Sequence, residues 1–241
     1  MCVLVLVTQP TKETSLMIGA NRDEFRQRPS AEPGLLEKGI MGGKDLEAGG
    51  TWLGVNREGL FVAITNRSNP LPAKGSPSRG KLVIETLRTQ TVPEAQAKIE
   101  GLLKENSYAG FNLVVLKEGE GFCYQNGEDK SVIPISPGIH VVSSNRDMDD
   151  PRMQEMKVAN ITLKGREGEN ELEEGLLSVL KDHEDADGYP VCKHGTQYGT
   201  VSSTLLQLPA KGIQKARYLY SSGQPCTSPF EDYSSILHTF E

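Results

Sequence analysis

Val3, Leu4, Val5, Leu6 and Val7 form an unbroken apolar run that starts one residue after Cys2 and stops at Thr8, Gln9 and Pro10. A strand with one wet face alternates polar and apolar residues, so a run without alternation reads as a strand covered on both faces. The chain must therefore build a layer on each side of this strand, and its amino end, Cys2, must lie inside the protein or at a cleft. The run is far shorter than the roughly 20 residues of a bilayer span. With no basic segment before it and no small-residue cleavage site after it, it is not a secretory signal, and a cytoplasmic protein is expected.

Past the polar turn at residues 11–14, residues 15–20 (SLMIGA) read as the hairpin partner and run into Asn21–Arg22–Asp23–Glu24–Phe25. Antiparallel pairing brings residues 21–24 beside Cys2, with Asn21 and Asp23 on one strand face and Arg22 and Glu24 on the other. Residues 27–48 hold Pro29, Pro33, Gly34, Gly39, Gly42 and Gly43 and read as a long loop with turns. Residues 49–55 (GGTWLGV) read as a short strand after a glycine pair with Trp52 as core filler, and Asn56–Arg57–Glu58–Gly59 as a hairpin turn into residues 60–65 and then Asn66. Residues 69–78 are Pro/Gly/Ser-rich, a lid or a linker.

Apolar stripes predict helices over 78–89 and 93–106, then strands over 108–117, 121–125, 132–133 and 138–143. Asp150–Pro151 reads as an N-cap with proline at the first helical position, opening a helix to about residue 163. Asn170 with Glu173 resembles a capping box for a helix over 171–181. Residues 200–208 and 213–220 are the last predicted strands, and the tail after them reads as polar and loosely held. Blocks of antiparallel strands separated by helix pairs predict an α+β fold of two stacked sheets with helices on the outer faces. A length of 241 residues suits one domain over 1–241.

A net charge of −6 without a Lys/Arg cluster argues against a nucleic-acid footprint. Cys2, Cys123, Cys192 and Cys226 lack CxxC spacing, so neither a zinc site nor a disulfide framework is expected, and the last three read as ordinary thiols. His194, two residues from Cys192, and His140, on a strand, have no ligand-like company in the sequence, and no metal is expected. His183, Glu184, Asp185, Asp187 and Gly188 lack the spacing and terminal Glu of a calcium loop and read as a solvated loop.

The chemistry concentrates on Cys2. Removal of Met1 makes Cys2 the amino terminus, joining a nucleophilic thiol and a titratable amine on one residue. The thiolate is the competent nucleophile, and an α-amine of pKa about 7.7–8.0 can take the thiol proton directly or through one water. The plain alternative is a small buried strand residue. Asp23 is a candidate to orient that amine. Asn66 and Asn145 end apolar strands, where a side-chain amide can point into a cleft and donate to an oxyanion.

Cys2, Asn21–Arg22–Asp23–Glu24–Phe25, Gly50–Thr51–Trp52–Leu53–Gly54, Tyr108–Ala109–Gly110–Phe111–Asn112–Leu113, Tyr198–Gly199–Thr200 and Ser203–Thr204, in this order, resemble the NRDE family, that of transport and Golgi organisation protein 2. The resemblance covers essentially the whole chain. That family resembles the amino-terminal nucleophile hydrolases, which implies a four-layer αββα sandwich. A more distant similarity, to cholylglycine and penicillin acylases, carries Asn21–Arg22–Asp23, the Asn56–Leu60 turn, Asn66, and Ser144–Asn145 with Pro151 further on. It implies catalytic roles for Cys2, Asp23, Asn66 and Asn145. Those acylases have Arg where Ala20 stands here, and Arg22, on the strand face opposite Asp23, is the nearby cation. The family's usual Arg after Tyr-Gly-Thr is Val201.

Two functions follow. The first is a cysteine amidase or acyl hydrolase acting on linear C–N amides, with a small-molecule substrate and no required cofactor. The second is a non-enzymatic carrier of an amphipathic ligand, haem or lipid, held between the sheets with Trp52 near the mouth. A hydrolase fold kept as an interaction module is the third and blander reading.

Overall fold

In a computed structural model that describes residues 2–184 and 190–240, the apolar run is β1 (Cys2–Thr8), which turns into the long β2 (Thr14–Phe25). Next come β3 (Ser30–Glu37), β4 (Ile40–Asp45), β5 (Leu53–Asn56) and β6 (Phe61–Asn66). Helices α1 (Arg79–Leu87) and α2 (Val92–Glu105) precede β7 (Phe111–Lys117), β8 (Glu120–Asn126), β9 (Lys130–Ile135) and β10 (Gly138–Ser143). Then follow α3 (Gln154–Leu163), α4 (Glu169–Lys181), β11 (Tyr198–Pro209), β12 (Arg217–Ser221), β13 (Glu231–Asp232) and α5 (Ser234–His238). The strands form two antiparallel sheets, ordered β10-β1-β2-β11-β12-β13 and β3-β4-β5-β6-β7-β8-β9.

The opening run is covered on both faces, as its composition requires. Leu4 and Leu6, with Leu16, Ile18 and Ala20 of β2, meet Met41, Leu53, Phe61, Ala63 and Val114 of the second sheet. Val3, Val5, Val7 and Met17 point the other way, onto Ala159 and Leu163 of α3 and Leu172, Leu176 and Val179 of α4. The outer face of the second sheet, through Val62, Ile64, Leu113 and Val115, receives Leu82, Val83 and Leu87 of α1 and Ala95 and Ile99 of α2. The result is the expected αββα sandwich. No helix among the described residues is long and apolar enough to cross a membrane.

Several local expectations are corrected. Residues 27–48 are not a loop but the hairpin β3–β4, turned at Gly39 (φ +71°). Their glycines serve packing as well as turning: a Cβ on Gly43 would run into the Trp52 ring. Pro33 is tolerated because β3 is an edge strand. The strand expected over 49–55 begins only at Leu53. α3 starts at Gln154 rather than at Pro151, because the Asp150 carboxylate closes a turn on Arg152, accepting from its main-chain N at 3.0 Å and its Nη2 at 2.7 Å. Asn170 lies inside α4, whose N-cap is Gly168, and Glu171 reaches back to the Glu167 N–H at 3.1 Å. Residues 213–216 form a turn ahead of β12.

The tail is docked rather than loose. Leu237 is fully buried, the Tyr233 ring meets Tyr220 edge-on at 5.8 Å, and Ser234 Oγ accepts from the Tyr218 N–H at 2.9 Å. The loop expected at Asp185, Asp187 and Gly188 lies outside the described residues.

His140 on β10 is buried with both ring nitrogens facing oxygens, Nδ1 at 2.7 Å from Asp149 Oδ2 and Nε2 at 2.8 Å from Ser136 O. The Asp149 hydrogen bond raises its pKa against the opposing effect of burial. A raised folded-state pKa adds stability that is complete below the unfolded value of about 6.5 and is lost as pH rises through the folded value. The urea midpoint is expected to fall between about pH 6 and pH 9 in the wild type and to fall less in His140→Gln. Equal slopes in the two proteins would contradict this assignment.

Candidate active site

Pairing of β1 with β2 sets Cys2 opposite Arg22 and Val3 opposite Asn21. Side chains alternate between faces, so Cys2 and Arg22 follow Leu4 and Ala20 toward the second sheet, while Asn21 follows Val3 toward the helices. There Asn21 Nδ2 donates to Leu180 O and Val191 O, both at 3.0 Å. At the open end of the sandwich Cys2 lines a cleft of about 280 Å³ together with Arg22, Trp52, Ile64, Asn66 and Arg79. Glu24, Arg28 and Asp45 stand at the cleft, and Pro72 and Ser76 to Ser78, from the stretch read as lid or linker, form one wall.

The nitrogen of Cys2 donates to Ser144 Oγ at 2.8 Å, and the Cys2 carbonyl accepts from the Ser144 N–H at 3.1 Å. The loop after β10 thus grips the start of β1. One residue on, the Asn145 N–H donates to Asn66 O at 3.0 Å and couples the ends of the two sheets. Asn145 sits at φ +62°, and its Oδ1 accepts from Ser68 N at 2.6 Å and Ser68 Oγ at 2.8 Å. Its side chain lines an adjoining hollow of about 430 Å³ with Arg67 and Ser68, whereas Asn66 lines the Cys2 cleft. Both loops rest on fully buried Asn112, whose Nδ2 donates to Ser143 O at 3.1 Å, Arg146 O at 3.0 Å and Thr65 Oγ1 at 3.2 Å.

Burial pushes the Cys2 thiol above its ordinary value, and the Arg22 charge opposes that shift. The main-chain N–H of Asp23 also faces the thiol. The Asp23 carboxylate, fully buried, is held on the helix-facing side: Oδ1 accepts from Thr200 Oγ1 at 2.7 Å and Oδ2 from Lys193 Nζ at 2.8 Å. Burial raises its pKa, with Lys193 pulling the other way. Arg22 is buried, with its guanidinium 4.4 Å from the Trp52 ring centroid and Nη2 3.8 Å from Asp45. Trp52 is therefore a wall of the cleft as well as core filler.

Of the five sequence-derived candidates, Cys2, Arg22 and Asn66 share one cleft. Asp23 stands directly behind it, and Asn145 beside it. Ser144, named in the sequence reading only as part of the resemblance, turns out to place its Oγ on the Cys2 nitrogen, a role that shows only when β1 and β10 are paired. One cleft residue escaped the sequence reading. Arg79, whose Nη1 donates to Gly110 O at 2.7 Å and whose pKa is lowered by burial, gives the cleft a cation although position 201 is valine. Its place at the first turn of α1, behind a Pro/Ser-rich wall, was the available signal.

A second cluster corrects the reading of the remaining thiols. Cys192 and Cys226, 34 positions apart, bring their Sγ atoms to 3.5 Å, and His194 Nε2 lies 3.1 Å from Cys226 Sγ and 3.7 Å from Cys192 Sγ. The fold supplies His194 with the company that the sequence lacked.

Two facing antiparallel sheets between helical layers are the fold of the amino-terminal nucleophile hydrolases, and solved structures share it. The N-acylethanolamine-hydrolyzing acid amidase (NAAA) ortholog of Caenorhabditis elegans matches with a TM-score of 0.58 and 13% identity, over 86% of this chain and 92% of that one. A mutant of the conjugated bile acid hydrolase of Clostridium perfringens matches with a TM-score of 0.57 and 12% identity, over 100% of this chain and 95% of that one. At these identities the likeness is one of fold.

Sequence narrows the assignment further. The profile of the family described as Transport and Golgi organisation 2 matches residues 1–218. The Transport and Golgi organization protein 2 homolog of Bos taurus is 27% identical over 253 residues, covering 88% of this chain and 90% of the relative. That of Homo sapiens is 32% identical over 161 residues, covering 60% and 57%. The chain belongs to the Transport and Golgi organisation 2 family.

A thiol raised above its ordinary value is largely protonated at neutral pH. In a form carrying an amino-terminal extension, so that the Cys2 nitrogen stays in peptide linkage, iodoacetamide labelling of Cys2 is expected to be slow near pH 7 and to climb only in the alkaline range. Rapid neutral-pH labelling of that form, read by peptide mass spectrometry, would contradict the assigned environment.

Proposed function

We propose that the chain is an amino-terminal cysteine hydrolase that cleaves linear C–N amide bonds of small acyl amides. The observation that carries this reading is the placement of Cys2 in the cleft, with Ser144 Oγ on its nitrogen at 2.8 Å and Asn66 on the same cleft wall. Once Met1 is removed, that nitrogen is an amine rather than an amide. It takes the thiol proton, directly or through a water, and the thiolate attacks the substrate carbonyl carbon. A protonated thiol held above its ordinary pKa needs such a base.

Negative charge then develops on the carbonyl oxygen. Asn66 Nδ2 is the donor available from the cleft wall. Asn145, whose Oδ1 accepts from Ser68, faces the adjoining hollow and steadies the loop beside this donor through its N–H to Asn66 O. The tetrahedral adduct collapses by breaking the C–N bond, and the ammonium returns its proton to the leaving amine. Water, deprotonated by the same amine, hydrolyses the acyl thioester and restores the thiol. Asp23, paired with Lys193, positions the strand that presents its main-chain N–H to the thiol. Arg22, stacked on Trp52, holds the opposite side of the strand.

The two solved structures of the same fold are named for amide substrates, an N-acylethanolamine and a conjugated bile acid, which supports an N-acyl amide here. Arg79 at the cleft favours an anionic or strongly polar group on that substrate, whereas Arg28 is already paired with Asp45 at 2.8 Å. A volume of about 280 Å³ sits at the low end of small-molecule sites, and no histidine among the described residues lines the cleft, so haem carriage draws no support from it.

With a panel of N-acyl ethanolamines and N-acyl amino acids, Cys2→Ala is expected to abolish turnover. Asn66→Ala is expected to lower kcat by about 10²–10³-fold with a smaller change in KM. Turnover by Cys2→Ala at the wild-type rate would overturn the reading.

A further inference from the structure

We propose that Cys192, Cys226, His194 and His183 form a structural four-coordinate Zn²⁺ site that clamps the end of α4 to the β12–β13 connection. A tetrahedral zinc with Zn–S of about 2.3 Å and Zn–N of about 2.0–2.1 Å sets S···S near 3.8 Å and S···N near 3.6 Å. The corresponding separations here are 3.5 Å for Cys192 Sγ to Cys226 Sγ, and 3.7 and 3.1 Å from His194 Nε2 to Cys192 Sγ and Cys226 Sγ. Three donors already stand at the corners of a metal-sized triangle.

The fourth corner belongs to His183. Ligand atoms of His183, His194 and Cys226 all lie within 4.8 Å of one another, and the two imidazole centroids are 5.3 Å apart. His183 is exposed, and Cys192 falls outside that 4.8 Å group, so this corner closes only when the metal binds. Its Nδ1 lies 3.0 Å from Lys181 O, so the proton belongs on Nδ1 and the lone pair on Nε2. A ligating histidine is oriented in the same way, by a carbonyl behind the other ring nitrogen.

The donors come from three separate stretches held by their own hydrogen bonds. Cys192 N donates to Asp182 O at 2.7 Å, and Gln224 Nε2, from the turn that leads to Cys226, donates to Lys193 O at 3.0 Å. Two thiolates and two neutral imidazoles suit a borderline-soft divalent ion, give a neutral complex with Zn²⁺, and release two thiol protons to solvent on binding. A Cys192–Cys226 disulfide is the competing chemistry, but it has no use for the His194 imidazole that stands within 3.7 Å of both sulfurs. Lys193 sits between two of the ligands and reaches Asp23, so the clamp also fixes the strand behind the cleft. The site stands whether or not the hydrolase reading does.

The test uses the full chain, purified without an affinity tag, in reductant and without chelator. One equivalent of zinc per chain by elemental mass spectrometry is expected, and Co²⁺ exchanged into the site is expected to give thiolate-to-cobalt charge-transfer bands and tetrahedral d–d bands. Cys226→Ser and His194→Gln are each expected to weaken Zn²⁺ binding by at least the roughly 10–100-fold of an outer-shell loss. If Cys226→Ser does not fold, exposed His183→Gln carries the test. Zinc below about a tenth of an equivalent after incubation with Zn²⁺, or binding unchanged in His194→Gln and His183→Gln, would overturn the proposal. So would a freshly isolated chain two hydrogens lighter, with Cys192 and Cys226 joined and no zinc bound.

Discussion

The register of β1 on β2 decides what this molecule can be. Side chains alternate strictly along a strand, so a slip of one residue would send Cys2 to the helices and Val3 into the cleft. The register is pinned from both sides: β2 sets Cys2 opposite Arg22, and β10 sets Val3 opposite Ser143. It is also pinned by packing, since Leu4 and Leu6 fill the space between the sheets while Val3, Val5 and Val7 meet α3 and α4. The thiol's location is thus a consequence of the hydrophobic core.

Where the sheets end, polar residues take over, and the two buried charges beside Cys2 have partners. Arg22 has the Trp52 face and Asp45, and Asp23 has Lys193 and Thr200. Removing one partner of a buried pair typically costs about 3–5 kcal/mol, because the other charge is stranded. Uncharged Asn112 does comparable work, tying the loop after β10 to the end of β6 through one amide nitrogen whose two hydrogens are shared among three acceptors. This framework holds Cys2 and Asn66 at strand ends and Ser144 and Asn145 in the turn after β10, the fixed geometry that the proposed acyl-transfer site needs.

Much of the layering was legible because it rests on local periodicity. The doubly covered strand, the first hairpin, α1, α2 and the Asn56 turn all follow from apolar spacing and turn chemistry. The β3–β4 hairpin was hidden because Gly42 and Gly43 look like loop residues until Trp52 is found lying against them. The tail was hidden because Leu237 and Tyr233 are isolated apolar residues in polar company, and only a finished sheet offers them a surface. Within the site, Cys2, Arg22 and Asn66 were legible from position and resemblance. The role of Ser144, the place of Arg79 and the convergence of Cys192, His194 and Cys226 were not, since each depends on elements far apart in the chain.

The hydrolase account turns on one chemical condition, a free amine on Cys2. Intact-mass and peptide mass spectrometry of the protein isolated from its native host, before and after treatment with an acylating β-lactone, tests that condition together with the nucleophile. The account predicts a chain that begins at Cys2 and gains a single acyl group on the Cys2 thiol. A chain that retains Met1 throughout, or acylation spread equally over Cys2, Cys123, Cys192 and Cys226, would contradict it.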